Sequence, residues 1–140
     1  GSGNIGCGFI KGFGLKKGAI ASSVAHDSHN IIVAGASDAD MRGAVAHVAA
    51  MQGGLCVVCD QSVRAALALP IAGLMAERPL DAVCRETQNL LDAARELGCK
   101  LADPFMTLSF MALPVIPELK MTDQGLFDVA AFAHVSVFAS

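Results

Sequence analysis

The stretch SDADMRGAVAHVAAMQGGLCVVCDQSVRAALAL, residues 37–69, decides the fold because it holds a helix and a strand hairpin in succession. Ser37 stands before acidic residues, as a helix N-cap does, and apolar residues then recur at helical spacing. Gly53 is predicted to be the left-handed residue that ends this helix. The run from Leu55 to Cys59 has the continuous apolar composition of a buried strand. A turn-forming D-Q-S follows it and predicts that residues 63–69 return as its hairpin partner.

A second helix is predicted downstream, between Pro79 and Gly98. Proline suits the first turn of a helix, and glycine commonly follows the last. Apolar side chains between them fall on one stripe, with charged residues mostly off it. The stripe consists of Leu80, Val83, Cys84, Thr87, Leu90, Leu91, Ala94 and Leu97. Asp103-Pro104 then predicts the start of a short third helix, which must end near Pro114.

Strands are predicted before and after these helices. Residues 3–18 are so rich in glycine that they exclude a helix and favour short strands with tight turns. Residues 19–25 and 31–34 are stronger strand candidates. A turn is predicted at residues 122–125, and the alternation of valine with polar residues over 134–137 favours a closing strand.

We therefore expect an α+β (mixed α/β) domain that covers residues 1–140. Its two main helices would pack on a mixed or antiparallel β-sheet, with a glycine-rich N-terminal strand region. No internal repeat or linker-like segment divides the chain, which is why one domain is expected.

Composition excludes several classes of protein. With 54% hydrophobic and 16% charged residues, the chain does not have the composition of a disordered protein. A net charge of −3 argues against nucleic-acid binding. The longest uncharged apolar stretches, 65–76 and 105–117, are shorter than the ~18 residues of a membrane-spanning helix. The odd count of five cysteines indicates reduced thiols and a cytoplasmic location.

Three motif-like features do not define a site. The glycines of residues 6–12 lack the spacing of the dinucleotide fingerprint, and no helical pattern follows them. Cys56-x-x-Cys59 lies in a predicted strand, where positions i and i+3 face opposite sides, so the two thiols cannot bind one ion. No His-x-Glu occurs, which excludes the cytidine-type zinc deaminases. His47 and His134 are assigned no role.

The segment His26-Asp27-Ser28-His29-Asn30 is the strongest candidate site. It places two imidazoles, a carboxylate, a hydroxyl and an amide between two predicted strands. Imidazoles beside a carboxylate suit proton transfer or metal ligation near neutral pH. In a turn all five side chains could face one pocket, whereas in an extended strand they would alternate between two faces. The alternative is a polar turn whose side chains hydrogen-bond their own backbone.

Residues 12–30, G-F-G-L-K-K-G-A-I-A-S-S-V-A-H-D-S-H-N, closely resemble the C-terminal domain of bacterial adenine deaminases, members of the amidohydrolase superfamily. Three further segments resemble the same family in the same order. They are L-P-I-A-G-L-M at 69–75, P-F-M-T-L-S-F at 104–110, and L-P-V-I-P-E-L-K with T-D-x-G-L within 113–126. The resemblance therefore covers nearly the whole chain.

The resemblance implies hydrolysis of adenine to hypoxanthine and ammonia in purine salvage, with manganese or iron held by a (β/α)8 barrel. Such barrels bind their metals through a His-x-His pair and further histidines, whereas this chain has four histidines and no His-x-His. We therefore expect a C-terminal fragment that binds no metal and is inactive alone. Its expected partners are its own N-terminal barrel, adenine and further copies of the enzyme, not nucleic acid or a membrane.

Roles for the polar segment follow from the same resemblance. His26, Asp27 and His29 are expected to be catalytic through proton transfer, and Ser28 and Asn30 to bind the purine, with the division of roles left open. One alternative is a non-catalytic structural domain that caps the barrel or forms the dimer interface. A weaker one is a stand-alone ligand-binding domain.

Two further expectations concern the surface and the start of the chain. The apolar stretches 65–76 and 105–117 are expected to leave an exposed surface where the barrel would sit. Gly1-Ser2 is either native sequence or a remnant of cloning.

Overall fold

A computed structural model describes residues 3–138, so Gly1-Ser2 lies outside the described residues. In chain order the elements are β1 (Ala19–Ser22), β2 (Ile32–Gly35), α1 (Asp38–Ala50), β3 (Gly54–Cys59), β4 (Ser62–Ala68), α2 (Leu80–Glu96), α3 (Pro104–Phe110), β5 (Leu119–Thr122), β6 (Gly125–Asp128) and β7 (Ala133–His134). The strands form two antiparallel sheets, ordered β2-β1-β3-β4 and β5-β6-β7. The expected α+β fold is confirmed.

The larger sheet is the middle layer of three. Because side chains alternate along a strand, neighbouring residues of β3 enter different apolar clusters. Val57 belongs to the cluster that contains Leu90 of α2. Val58 belongs to the cluster that contains Val48 of α1. The two main helices therefore lie on opposite faces of the sheet, and both faces are covered.

Helix α1 begins at the predicted cap and ends close to the predicted glycine. Ser37 Oγ accepts a hydrogen bond from the Asp40 N–H, with 3.4 Å between the atoms. At the other end Gln52 has a φ of +62° and Gly53 a φ of +116°. The Gly53 N–H donates to the Val48 carbonyl oxygen at 2.9 Å, which is the Schellman arrangement. This arrangement places Gln52 at the left-handed capping position, one residue before the predicted one.

Helix α2 covers the opposite face, but the start of its apolar stripe is not buried. Leu90 and Leu97 pack in the core, whereas the side chain of Leu80 is 76% exposed. Cys84 is also exposed. The helix ends as predicted, because Gly98 follows it with a φ of +101°.

The β3–β4 hairpin is fixed by a buried carboxylate. Its two turn residues, Asp60 and Gln61, have φ values of +54° and +58°, as in a type I′ turn. The Gln61 N–H donates to Oδ1 of Asp40 at 2.7 Å, and Asp40 is buried. This hydrogen bond joins helix α1 to the turn that the sequence predicts, and it supplies a partner for a carboxylate that is out of water.

The N-terminal segment differs from the prediction, since residues 3–18 contain no strand. Its glycines serve close backbone approach instead. A Cβ atom built on Gly6 would lie 2.0 Å from the carbonyl oxygen of Thr122, at the β5–β6 turn. The segment therefore runs against the smaller sheet without pairing as a strand.

The C-terminal strand is shorter than predicted. β7 ends at His134, so Val135 and Val137 lie outside it. Only Phe127 and Asp128 of β6 pair with β7, and the Val135 N–H then donates to Leu126 before the chain departs. The predicted third helix and the predicted turn at 122–125 are both confirmed. None of the helices within residues 3–138 has the length and apolar composition needed to cross a membrane.

The core of α2 can be tested with two leucines on one helix. Leu90 is fully buried, whereas Leu80 is largely exposed. We expect Leu90→Ala to lower the free energy of unfolding by about 2–5 kcal/mol, through lost burial and the cavity left behind. Leu80→Ala should change it by less than about 0.5 kcal/mol. Urea denaturation of both variants measures this, and equal losses would contradict the packing described.

Candidate functional site

The polar segment lies in the connection between β1 and β2. Ser23, at the start of this connection, is buried and holds it in place. Its Oγ donates to the carbonyl oxygen of Gly73 at 2.6 Å and accepts from the Gly54 N–H at 2.8 Å. The loop that carries the candidate residues is therefore anchored both to β3 and to the residues that follow β4.

The segment itself is a tight turn, not an extended strand. The His29 N–H donates to the Ala25 carbonyl oxygen at 2.8 Å. Asp27 and His29 have φ values of +22° and +49°, a region that non-glycine residues rarely adopt. Such strained residues are concentrated at functional sites, which is consistent with a role beyond folding.

The five side chains are held in different ways. The His26 ring packs on the Phe110 ring of α3, with 4.7 Å between their centroids and 50° between their planes, and is half-buried. The other four residues, from Asp27 to Asn30, are exposed. Within the described residues 3–138, no side-chain hydrogen bond of these five residues is formed. A turn stabilised by its own side chains would show such bonds.

Ser28 and Asn30 line a cleft of about 420 Å³. The opposite wall comes from the smaller sheet and from the connection after α3, and it includes Gln124, Phe132 and His134. Ser28 and Asn30, which were predicted to bind the purine, therefore share one cleft with residues that lie about a hundred positions later in the sequence. His26, Asp27 and His29 lie beside the cleft in sequence but do not line it.

The aromatic wall of the cleft is held by a turn between β6 and β7. The Phe127 ring makes edge-to-face contacts with Phe132 at 5.5 Å and with His134 at 5.2 Å. Phe132 has a φ of +50° and is 80% exposed. Asp128 Oδ1 accepts hydrogen bonds from the N–H groups of Ala130 and Ala131, within this turn, at 2.9 and 3.0 Å.

Sequence reasoning missed this wall. His134 was assigned no role because it has no acidic neighbour along the chain, and Phe132 belongs to no motif. The one local signal was the turn-forming T-D-x-G-L segment at 122–126, which contributes Gln124. Pairing across β5, β6 and β7 brings these residues together, and local sequence patterns do not predict which strands pair.

The cysteine pair is arranged as the strand predicts. Cys56 lies in the cluster beneath α1 and Cys59 in the cluster beneath α2. Burial raises the pKa of the Cys56 thiol from 9.0 to about 12, so this thiol stays protonated. Within residues 3–138, no three His, Cys, Asp or Glu side chains are placed to hold a metal ion together.

Comparison with known proteins assigns the family. The sequence model of the adenine deaminase C-terminal domain matches residues 1–133. The chain belongs to this family. Its match to an adenine deaminase of Desulfatibacillum aliphaticivorans is 59% identical over 138 residues, 99% of this chain and 24% of the relative. A match to adenine deaminase 2 of Carboxydothermus hydrogenoformans is 56% identical over 97% of this chain and 24% of the relative.

A third adenine deaminase, from Dehalococcoides mccartyi strain BAV1, is 55% identical over 94% of this chain and 23% of its own length. The chain thus spans about a quarter of the length of the curated relatives that it matches. The resemblance of the four quoted segments to this family is confirmed.

The raised pKa of the buried Cys56 thiol predicts how the free energy of unfolding depends on pH in the alkaline range. Because its folded pKa is above the unfolded value, its contribution to the free energy of unfolding is complete below pH 9.0 and is lost as the pH rises toward 12. We expect Cys56→Ala to lose less stability than the unsubstituted chain between those pH values. Chemical denaturation at a series of pH values measures the slope. Cys84→Ala, at an exposed cysteine, is the matched control and should retain the full slope.

Proposed function

We propose that this chain is the C-terminal part of an adenine deaminase, which converts adenine and water to hypoxanthine and ammonia. The observation that carries this proposal is the family match over residues 1–133, together with relatives that are 55–59% identical and are named adenine deaminase. A role in purine salvage, a cytoplasmic location and a homo-oligomeric state stay predictions from the resemblance and the composition.

Within that enzyme, we propose that the polar segment reaches the active site. Ser28 and Asn30 offer hydroxyl and amide groups that can hold a purine edge, and both line the cleft. His26, Asp27 and His29 are proposed to move the protons that the reaction requires, including the one taken up by the departing ammonia. Support comes from their exposed or half-buried side chains, which make no hydrogen bonds within residues 3–138, and from the strained backbone that presents them.

In this proposal the metal ion is not bound by this chain. The described residues offer no group of three ligands, so they do not fit a manganese or iron site by themselves. We propose that the (β/α)8 barrel of the full enzyme binds the metal. The part assigned to this chain is limited to holding the purine and moving protons.

A second candidate function is that of a structural domain that caps the barrel or forms a dimer interface. It is favoured by the large apolar side chains left at the surface, with Phe9 89% and Phe132 80% exposed. On that view the polar segment would not affect turnover. Substitutions in this segment therefore distinguish the two functions.

The decisive experiment uses a chimera in which this chain replaces the matching segment of the Desulfatibacillum aliphaticivorans adenine deaminase. We expect Asp27→Asn, His26→Ala and His29→Ala in this chimera to lower turnover of adenine roughly a hundredfold or more, the range for losing a proton-transfer group. His47→Ala, on helix α1, is the matched control and should leave turnover unchanged. Hypoxanthine formation and the thermal unfolding midpoint are measured on the same preparations. Near-normal turnover with a lowered midpoint in all three variants would favour the structural domain.

The 140-residue chain alone should fold but not deaminate adenine. The two covered faces of the larger sheet supply a core, whereas residues 3–138 contain no cluster of three His, Cys, Asp or Glu side chains that could hold a metal ion. We expect one cooperative unfolding transition and no hypoxanthine formation when manganese is added. Turnover at the rate of the chimera would contradict this expectation.

A further inference from the structure

We propose that the smaller sheet, β5-β6-β7, together with residues 3–12, is the face on which this chain docks against the rest of an adenine deaminase polypeptide. We call this face the docking face. The inference rests on the proposed function, because the occupant is the part of the enzyme that this chain does not contain.

The first observation is that the smaller sheet has no core of its own. Neither apolar cluster of the described residues contains a residue after Leu108. From residue 113 to residue 138, Lys120 is the one buried side chain, and its ammonium group donates to the carbonyl oxygens of Pro117 and Leu119. A short sheet in water normally needs one face packed on apolar side chains. No residue of β5, β6 or β7 belongs to either apolar cluster of residues 3–138.

The second observation is that large apolar side chains within or close in sequence to this part of the chain remain exposed. Phe132, Phe138 and Val115 are 80%, 78% and 68% exposed. The stretches 65–76 and 105–117, which were expected to leave some apolar side chains uncovered, contain both exposed residues such as Met75 and Val115 and buried ones such as Leu67 and Phe105. The most exposed phenylalanines, Phe9, Phe132 and Phe138, lie near the two ends of the described residues.

The third observation joins residues 3–12 to the same face. A Cβ atom on Gly8 would lie 2.3 Å from Cε of Met121, so the segment runs directly along β5. Asn4 Nδ2 donates to Oδ2 of Asp123 at 3.4 Å, at the β5–β6 turn. Ile5 and Phe9 in this segment are 85% and 89% exposed. The segment therefore adds apolar surface to the sheet but does not cover it.

The occupant follows from the comparisons. In the Desulfatibacillum aliphaticivorans relative the matching segment is 24% of the polypeptide, and the family is a C-terminal domain, so about three quarters of that polypeptide lies outside the match. The larger sheet already has a helix layer on each face, which leaves the smaller sheet as the uncovered one. The cleft lined by Ser28 and Asn30 borders the docking face, so docking there brings the polar segment next to the remaining polypeptide.

Two exposed cysteines test the inference with a built-in control. Cys7 lies on the docking face between Gly6 and Gly8, and Cys84 lies on helix α2. In the isolated 140-residue chain, iodoacetamide should alkylate both. In the chimera with the Desulfatibacillum enzyme, alkylation of Cys7 should slow at least tenfold while Cys84 keeps its rate. An unchanged rate at Cys7, or protection of Cys84 instead, overturns the docking face.

Matched charge substitutions provide a second readout. Phe9→Glu and Leu80→Glu each place a carboxylate at a position that is at least 76% exposed in this chain. Neither should shift the unfolding midpoint of the isolated chain. In the chimera, Phe9→Glu should lower the midpoint because the carboxylate is buried at the interface, and Leu80→Glu should not. A larger shift from Leu80→Glu would place the interface on α2 and overturn the inference.

The outcomes separate this inference from the proposed function. A chimera that deaminates adenine while Cys7 stays reactive retains the function and overturns the docking face. A chimera without deaminase activity in which Cys7 alone is protected retains the docking face and contradicts the function. Protection of Cys7 in the isolated chain that grows with protein concentration identifies a second copy as the occupant, which also overturns the inference.

Discussion

The pairing of β1 with β3 at the centre of the larger sheet is the constraint on which the rest of the structure depends. All four residues of β1 are buried, and they pair with β2 on one edge and β3 on the other. Ala19 and Ala21 face α1, whereas Ile20 enters the apolar cluster on the opposite face, which contains residues of α2 and α3. The entry to this strand has no spare room, because a Cβ atom on Gly18 would lie 2.5 Å from the Val58 carbonyl oxygen. A strand enclosed on four sides fixes both helix layers at once.

That central strand also determines where the polar segment lies. The connection leaves β1 at Ser22 and is anchored at Ser23, so residues 26–30 follow directly on the buried central strand of the larger sheet. A site supported by buried elements can hold a strained backbone, as the positive φ values of Asp27 and His29 require. The packing of His26 on Phe110 further ties the turn to helix α3. The loop that carries the proposed site residues is therefore tied to both the larger sheet and α3.

The two sheets differ in how complete they are. The larger sheet buries both faces within the described residues, whereas Lys120 is the one buried residue among the smaller sheet and residues 3–12. Relatives about four times as long provide a reason for this difference, since a surface that is covered in the full polypeptide need not be polar. The cleft lies where the complete and the incomplete parts meet. This placement is what a site completed by another domain requires.

The sequence by itself determined the local elements and the family. The helix from Ser37, the hairpin that follows it and the stripe of α2 are all encoded by spacing, caps and turn residues, because these signals act between neighbours in the chain. The polar segment was recognisable because its five residues are adjacent. Only the tertiary structure placed the two helices on opposite faces, laid glycine-rich residues 3–18 along other elements without strand pairing, and brought Phe132 and His134 to Ser28 and Asn30. Those features depend on contacts between residues far apart in sequence, and periodicity and local propensity do not predict such contacts.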